Sequence, residues 1–218
     1  MEIKNIFFDF NGTILDDLIL CYEIEDEMLV EYGLERKSLE FYKDNFGFPV
    51  IDYYVKIGYD FSKVSFDDVA KEFFETYLAR EKEETHLYPK VKETLAKLKN
   101  VGYKLYILSA SESNLLHRQL QYLGIDEFFD GVCGDDDIQA KGKIVYGNKY
   151  LDKHQIDRSK TVMIGDTKHD YEVACALGLH PIMFTSGHNS KKVLEPLGTE
   201  MIETYDEILP LLERLGNK

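Results

Sequence analysis

Three short segments of the chain each pass from an apolar run into a residue that can engage phosphate or a metal ion. These residues are Asp9, Ser109 and Asp166. The apolar runs before them have the length and composition of buried strands. If the strands lie parallel in one sheet, the three side chains emerge together at its carboxyl edge, where open α/β sheets bind ligands. The sequence therefore predicts a catalytic site at that edge.

The first segment has a competing interpretation, because Asn11-Gly12 between apolar residues also signals a hairpin turn. Taken alone, it favours a turn as much as a site. The rest of the chain favours a site, since Ser109 follows a second strand-like run. A Lys-Gly-Lys then occupies residues 141–143, and a Gly-Asp-x-x-x-Asp occupies residues 165–170.

In that order, these motifs resemble those of the haloacid dehalogenase (HAD) superfamily of phosphotransferases, in particular its phosphoglycolate phosphatase-like branch with a helical cap. The resemblance spans nearly the whole chain. It implies that Asp9 is the nucleophile and that Ser109, with Ala110 beside it, binds the transferring phosphoryl group. A lysine would neutralise that group. Lys143 is preferred to Lys141 because it is followed by an apolar residue at a predicted helix start, although either could be a solvated lysine.

The same resemblance implies a Mg²⁺ cofactor, a cation that favours carboxylate, carbonyl and water oxygens. Asp9 and Asp166 would bind it directly, and the backbone carbonyl of Asn11 would be the third protein ligand. Asp170 would act on the metal through water or hold Lys143. The alternative for Asp170 is an acidic residue placed favourably at a helix N-terminus.

Asn11 departs from the family pattern, which has a second aspartate there. That aspartate would protonate the leaving group and then activate water, and such assistance is typically worth on the order of 10²–10⁴ in rate. The expected activity is therefore a Mg²⁺-dependent phosphatase of a small phosphorylated metabolite, acting through an aspartyl-phosphate. It would be slow, or would prefer good leaving groups, or would form a long-lived phosphoenzyme.

Other activities stay open at this point. A phosphate- or metabolite-binding protein without turnover would keep the same residues. A 2-haloacid dehalogenase would have lost the metal motif that Asp166 and Asp170 retain. A phosphonatase would need a Schiff-base lysine in the cap, where residues 46–52 contain none and Lys43 or Lys56 would have to serve.

The fold expected is an α/β doubly wound parallel sheet with an inserted all-helical cap subdomain. Helix-like segments alone fill residues 17–82, and strand–helix alternation resumes after them. The expected division is therefore a core of residues 1–16 and 83–218 and a cap of residues 17–82. The compact cap indicates a small-metabolite substrate, and the oligomeric state is not encoded in any recognisable pattern.

Composition narrows the partners and the location. The net charge of -14 disfavours nucleic acid and anionic membranes, which reward clustered Lys and Arg. Cys21, Cys133 and Cys175 are too far apart for a disulfide framework or zinc cluster and are expected to be buried thiols. With no long apolar segment, a cytoplasmic protein is expected.

Overall fold

The computed structural model describes residues 2–135 and 142–216, with no side-chain description at residue 135. Within these residues the chain forms two sheets and a series of helices. None of the described helices is long and apolar enough to cross a membrane.

A six-stranded parallel sheet forms the centre of the molecule, in the order β5-β4-β1-β6-β7-β8. Its strands are β1 (Asn5–Phe8), β4 (Lys104–Glu112), β5 (Gly131–Asp135), β6 (Thr161–Gly165), β7 (His180–Phe184) and β8 (Glu200–Ile202). A second, two-stranded antiparallel sheet pairs β2 (Leu15–Asp16) with β3 (His86–Leu87). It joins the chain entering and leaving the helical insert.

Four helices lie between β2 and β3. They are α1 (Leu18–Glu31), α2 (Leu39–Asn45), α3 (Val50–Ile57) and α4 (Phe66–Glu84). The other six follow in the remainder of the described chain. They are α5 (Val91–Val101), α6 (Ser113–Leu123), α7 (Lys143–Lys153), α8 (Lys168–Leu177), α9 (Lys191–Leu194) and α10 (Ile208–Gly216).

The side chains of β1 show how the two faces of the sheet are covered. Ile6 and Phe8 point into one apolar cluster, which α5, α6 and α10 cover, and Phe7 points into another, which α7 and α8 cover. This alternation follows from the two-residue period of a strand. Helices on both faces of a parallel sheet confirm the predicted doubly wound fold.

The insert has its own apolar cluster, formed only by residues from Leu18 to Tyr77 and packed by an unusual number of tyrosine and phenylalanine rings. On α1, Leu20, Ile24 and Met28 recur at the spacing of one helix face, and all three are buried. A helical cap subdomain is therefore present. Its expected limits at residues 17 and 82 stay a prediction.

Three details differ from the sequence interpretation. Strand β4 continues through Ser109 to Glu112, with a register shift after Leu108, so Ser109 lies within the strand and does not follow it, and the Glu112 side chain caps α6. Cys175 is exposed, so its assignment as a buried thiol is wrong, whereas Cys21 and Cys133 are buried. Strand β8 and helix α10 carry no motif and were not anticipated.

Candidate active site

The three central strands bring the candidate carboxylates together. Strand β1 pairs with β4 on one side and β6 on the other, so Asp9 and Asp166 leave adjacent strands at the same edge. Oxygens of Asp9, Asp166 and Asp170 lie within 4.8 Å of one another, and all three residues are buried. This edge-of-sheet cluster is the arrangement expected from the strand order.

Lys143 lies in the middle of this cluster. Its Nζ donates to Asp9 Oδ1 at 2.5 Å and to Asp170 Oδ1 at 2.7 Å. Lys143 is the first residue of α7 and is 4% exposed, so its ammonium has little contact with water. Asp170 therefore does hold Lys143. Lys141, the competing candidate, lies outside the described residues.

Asp170 is fixed by the start of α8. The Thr167 side chain accepts a hydrogen bond from the Asp170 backbone N–H, and the Asp170 carboxylate accepts from the Thr167 backbone in return, which forms a capping box. One carboxylate oxygen thus closes the helix turn and the other binds Lys143. The helix-terminal and site roles considered for Asp170 coexist.

Asp166 is held by two donors on opposite sides of the site. Thr13 Oγ1 donates to Oδ1 at 2.9 Å, and the backbone N–H of His188 donates to Oδ2 at 2.7 Å. The backbone approaches so closely that a Cβ on Gly12 or Gly187 would come within 2.4 Å of an Asp166 oxygen. Gly12 also has a φ of +71°, which non-glycine residues rarely adopt.

Burial and mutual repulsion dominate the electrostatics of the cluster. Burial, with the charges of the neighbouring carboxylates, raises the pKa of Asp9 to about 8 despite Lys143. Burial likewise raises the pKa of Asp166 to about 6. For Lys143, the two carboxylates outweigh burial and raise its pKa, so it stays charged. The ionised forms of Asp9 and Asp166 are therefore less stable in this site than they would be in water.

A divalent cation fits this donor set. When all are ionised, three buried carboxylates face one ammonium, which leaves a surplus of two negative charges. Hard oxygen donors of this kind suit Mg²⁺. Asp9, Asp166 and Asp170 are the described carboxylates that could hold or surround it, with the backbone of Asn11 next to them in sequence.

Ser109 is buried at 2% exposure and lies on the wall of the adjoining cavity together with Ala110. Its Oγ accepts a hydrogen bond from the backbone N–H of Ser111 at 3.1 Å, and its carbonyl accepts from the Tyr146 hydroxyl at 2.7 Å. Both contacts leave the hydroxyl proton of Ser109 available to an acceptor in the cavity.

The side chain of Asn11 is fully engaged. Its Nδ2 donates to Asp17 Oδ2 at 2.7 Å and to the Tyr77 hydroxyl at 3.0 Å. Its Oδ1 accepts from Ser111 Oγ at 3.1 Å. Tyr77 lies on α4 of the cap, so the amide links the loop that follows β1 in the core to the cap.

Sequence reasoning missed a second buried group beside the first. Asp17 Oδ1 accepts from the Gly12 backbone N–H at 2.9 Å and lies 3.1 Å from His188 Nε2, while His188 Nδ1 lies 2.9 Å from the Tyr42 hydroxyl. Burial opposes the charge on His188, but the hydrogen bond and charge of Asp17 raise its pKa to about 9. A signal existed, since His188 lies in a polar loop that follows strand β7.

A cavity of about 450 Å³, partly open to solvent, lies between the cap and the core. Asp9, Ser109 and Lys143 form part of its floor, and aromatic residues of the cap form much of its wall. His169 also lines it and contacts Phe48, with ring centroids 4.7 Å apart and the ring planes tilted by 32°. His86 is exposed and lies near Asp16 instead, so it is not part of this site.

The sequence is similar to those of named phosphatases. A phosphoglycolate phosphatase of Aliivibrio fischeri is 29% identical over 197 residues, which are 86% of each chain. The pyrophosphatase PpaX of Oceanobacillus iheyensis is 29% identical over 171 residues, 78% of each chain.

Similarity to solved structures extends to the whole fold. A haloacid dehalogenase-like family hydrolase, SP0104 from Streptococcus pneumoniae, superposes with a TM-score of 0.83 at 24% identity, covering 96% of this chain and 98% of its own. The family model for haloacid dehalogenase-like hydrolases matches residues 6–184, which contain all the candidate site residues. The chain belongs to the haloacid dehalogenase-like hydrolase family.

Proposed function

We propose that this protein is a Mg²⁺-dependent phosphatase of a small phosphorylated metabolite that works through an aspartyl-phosphate on Asp9. The observation that carries the proposal is the buried ammonium of Lys143 between Asp9 and Asp170, on the floor of the cavity between cap and core. Phosphoryl transfer depends mainly on positioning and charge neutralisation. The relatives named as phosphatases support the same reaction class.

Each residue has a defined part in the proposed reaction. A carboxylate oxygen of Asp9 attacks phosphorus, the bond to the leaving oxygen breaks, and water later hydrolyses the aspartyl-phosphate to release phosphate. Lys143 and the Ser109 hydroxyl, with Ala110 beside it, hold the phosphoryl oxygens. Asp9, Asp166 and the Asn11 carbonyl would hold Mg²⁺, with Asp170 close by, and the bound ion would supply further neutralisation of phosphoryl charge.

Asn11 sets the limits of this chemistry. Its amide cannot give a proton to the leaving group or take one from water, and both its polar atoms already have partners. We expect slow turnover of ordinary alkyl phosphates and a phosphoenzyme that persists. A binding protein with little turnover is the second candidate, and the same locked amide supports it.

The test is release of inorganic phosphate from a panel of phosphorylated metabolites, with Mg²⁺ and with EDTA. Asp9→Asn should abolish release, because it removes the nucleophile and a metal ligand together. Asp126→Asn, which makes the same chemical change at an exposed position, should leave release unchanged. Full activity in EDTA would reject the phosphatase proposal, and phosphate-dependent binding without any release would favour the binding protein.

A complex with beryllium fluoride and Mg²⁺ tests the choice of lysine. We expect the phosphoryl mimic between Asp9, Ser109 and Lys143. Contact from Lys141 instead would show that the lysine assignment is wrong.

A further inference from the structure

We propose that the substrate is a phosphomonoester whose leaving group is a neutral aromatic alcohol, and that the site discriminates against esters carrying a second anionic group. This inference rests on the proposed phosphatase function and narrows its substrate. It separates this chain from the activities in its relatives' names, since phosphoglycolate and pyrophosphate both carry a second anion.

The first support is the composition of the cavity wall opposite Lys143. The cap supplies this wall from the end of α2, the start and middle of α3, and one face of α4. Its aromatic members include Phe46, Phe48, Tyr54, Phe66, Phe73 and Phe74. Flat rings on several sides of a cavity favour another ring, which they can contact edge-to-face or offset-stacked.

The second support is that parts of this wall lie open. Phe48 is 45% exposed and Phe74 is 47% exposed, although both line the cavity. Large apolar side chains grouped around a pocket are a feature of ligand sites, because a bound apolar group removes their surface from water. An aromatic leaving group would cover both rings.

The third support is that the described residues of the wall offer no free counter-ion for a second anion. Among the described residues of the wall, Lys143 is the one lysine or arginine, and Asp9 and Asp170 already engage it. The other ionisable groups that line the cavity include the buried acids Asp17 and Glu25 and the imidazole of His188, which is already paired with Asp17 at 3.1 Å. The His169 imidazole, which also lines it, lies 3.9 Å from Glu172. A substrate carboxylate there would be desolvated beside like charges, which is strongly unfavourable.

One cap lysine lies near the site without lining this cavity. Lys43, on α2, is half-buried. Burial lowers the pKa of its ammonium, and the charges of Asp166 and Asp16 oppose that shift. Its backbone carbonyl accepts a hydrogen bond from Ser190, which places this part of α2 against the core loop after β7. Lys43 therefore lies near the edge of the site, outside the residues that line the aromatic wall.

Cavity size agrees with the same substrate class. At about 30 Å³ per water, 450 Å³ would hold about 15 waters. A glycolate group would leave much of that volume filled with water against aromatic rings. A ring joined to the phosphoryl oxygen would fill more of it with apolar surface.

The experiment compares benzyl phosphate with 2-phosphoglycolate in the presence of Mg²⁺. Both esters release a primary alcohol, so the lack of an acid at Asn11 affects them alike. We expect kcat/KM for benzyl phosphate to exceed that for 2-phosphoglycolate by about 100-fold, because an unpaired carboxylate is excluded from the wall. Phosphate release with an equal or greater kcat/KM for 2-phosphoglycolate would overturn the inference and leave the phosphatase function standing.

A binding measurement removes the dependence on turnover. Calorimetry with wild-type protein and Mg²⁺ compares 2-phenylethylphosphonate with 3-phosphonopropionate, in which carbon replaces the ester oxygen of the two substrates. Tighter binding of the phenyl compound without hydrolysis of either ester would support the recognition and reject the phosphatase function. Equal binding of both phosphonates, or binding of neither, would overturn the inference.

Wall variants supply matched controls. Phe74→Ala should lower kcat/KM for benzyl phosphate about 10-fold and leave 2-phosphoglycolate unchanged, whereas Leu78→Ala, one turn further along α4 and outside the cavity, should change neither. Ala70→Lys should raise kcat/KM for 2-phosphoglycolate about 10-fold, and the neutral Ala70→Met should not. An equal loss of kcat/KM for both esters in Phe74→Ala would contradict recognition of the ring by the aromatic wall. A gain in kcat/KM for 2-phosphoglycolate in Ala70→Met equal to that in Ala70→Lys would show that a missing cation does not explain the discrimination.

Discussion

Replacing Asn11 by aspartate tests whether the missing acid limits the reaction. The Asn11 amide donates to Asp17 Oδ2 over 2.7 Å, so an aspartate there would place two carboxylates against each other. At an effective dielectric constant of about 20, two unit charges at this distance repel by roughly 6 kcal/mol. That repulsion corresponds to more than about 4 pKa units. One of the two carboxyl groups would therefore keep its proton near pH 7.

A protonated carboxyl at position 11 would be the proton donor that the wild-type chain lacks there. We expect Asn11→Asp to raise kcat/KM for benzyl phosphate, which reports formation of the phosphoenzyme, by about 10²-fold or more, the usual range for general acid assistance. Phenyl phosphate should gain much less, because phenolate leaves with little protonation. The two esters present the same ring to the cap, so their difference isolates the leaving group.

The variant also loses a contact, because its carboxyl carries one proton where the amide donates two hydrogen bonds. One lost hydrogen bond costs about 1 kcal/mol of the free energy of unfolding. Denaturant unfolding should detect that loss, and Asn11→Ala should lose more. If Asn11→Ala raised kcat/KM for benzyl phosphate as much as Asn11→Asp does, looser closure of the cap would explain the gain.

Equal gains for benzyl and phenyl phosphate would refute the proton-donor reasoning. Spontaneous deamidation at Asn11-Gly12 could add an aspartate fraction to aged wild-type protein. Peptide mass spectrometry across residue 11 should therefore accompany each assay.

Other predictions concern the contacts around the site. In EDTA, the raised pKa of His188 should stabilise the folded state by about 3 kcal/mol below about pH 6.5, and this stabilisation should be lost as pH rises through about 9. The difference in Tm between wild type and His188→Gln should therefore shrink over that pH range. A constant difference would contradict the Asp17–His188 ion pair. Tyr77→Phe should lower the free energy of unfolding by about 1–3 kcal/mol by removing a buried hydroxyl that bonds Asn11 and Asp17, as measured in urea; an unchanged midpoint would argue against this cap contact. Gly187→Ala should weaken Mg²⁺ binding as measured by calorimetry, because the new Cβ would clash with Asp166. A variant that bound Mg²⁺ with wild-type affinity would show that the loop shifts to relieve the clash at no cost.

The sequence was sufficient to find residues at the ends of strands. Asp9 and Asp166 follow apolar runs, and neighbouring parallel strands bring such positions together whatever the rest of the chain does. Lys143 and Asp170 were less certain from local pattern, because a lysine or an aspartate at a helix start is common. The resemblance to a family, not spacing alone, singled them out.

The Asp17–His188 contact was not predictable in the same way. The two residues are 171 positions apart, and they meet only because the loop after β7 returns to the nucleophile loop. A search for polar loops after every apolar strand would have found His188. Nothing local indicates Asp17 as its partner, because the preceding Asp16 has the same sequence context.

The aromatic wall shows a different limit. Phe66, Ala70, Phe73 and Tyr77 recur at helical spacing, which predicts one apolar face on α4. Spacing does not say whether such a face packs against its own subdomain or opens onto a cavity. That distinction depends on how the cap closes over the core, which is decided by long-range contacts such as the one between Tyr77 and Asn11.

The most direct test of the central claim is chemical identification of the phosphorylated residue. The protein would be mixed with benzyl phosphate and Mg²⁺, quenched rapidly with acid and reduced with borohydride, which converts an aspartyl-phosphate to homoserine. We predict homoserine at position 9 in the peptide that spans the loop after β1. The phosphoenzyme should accumulate during steady turnover, because Asn11 does not activate water. Phosphate release with an unmodified Asp9, or modification at a different residue, would contradict the account.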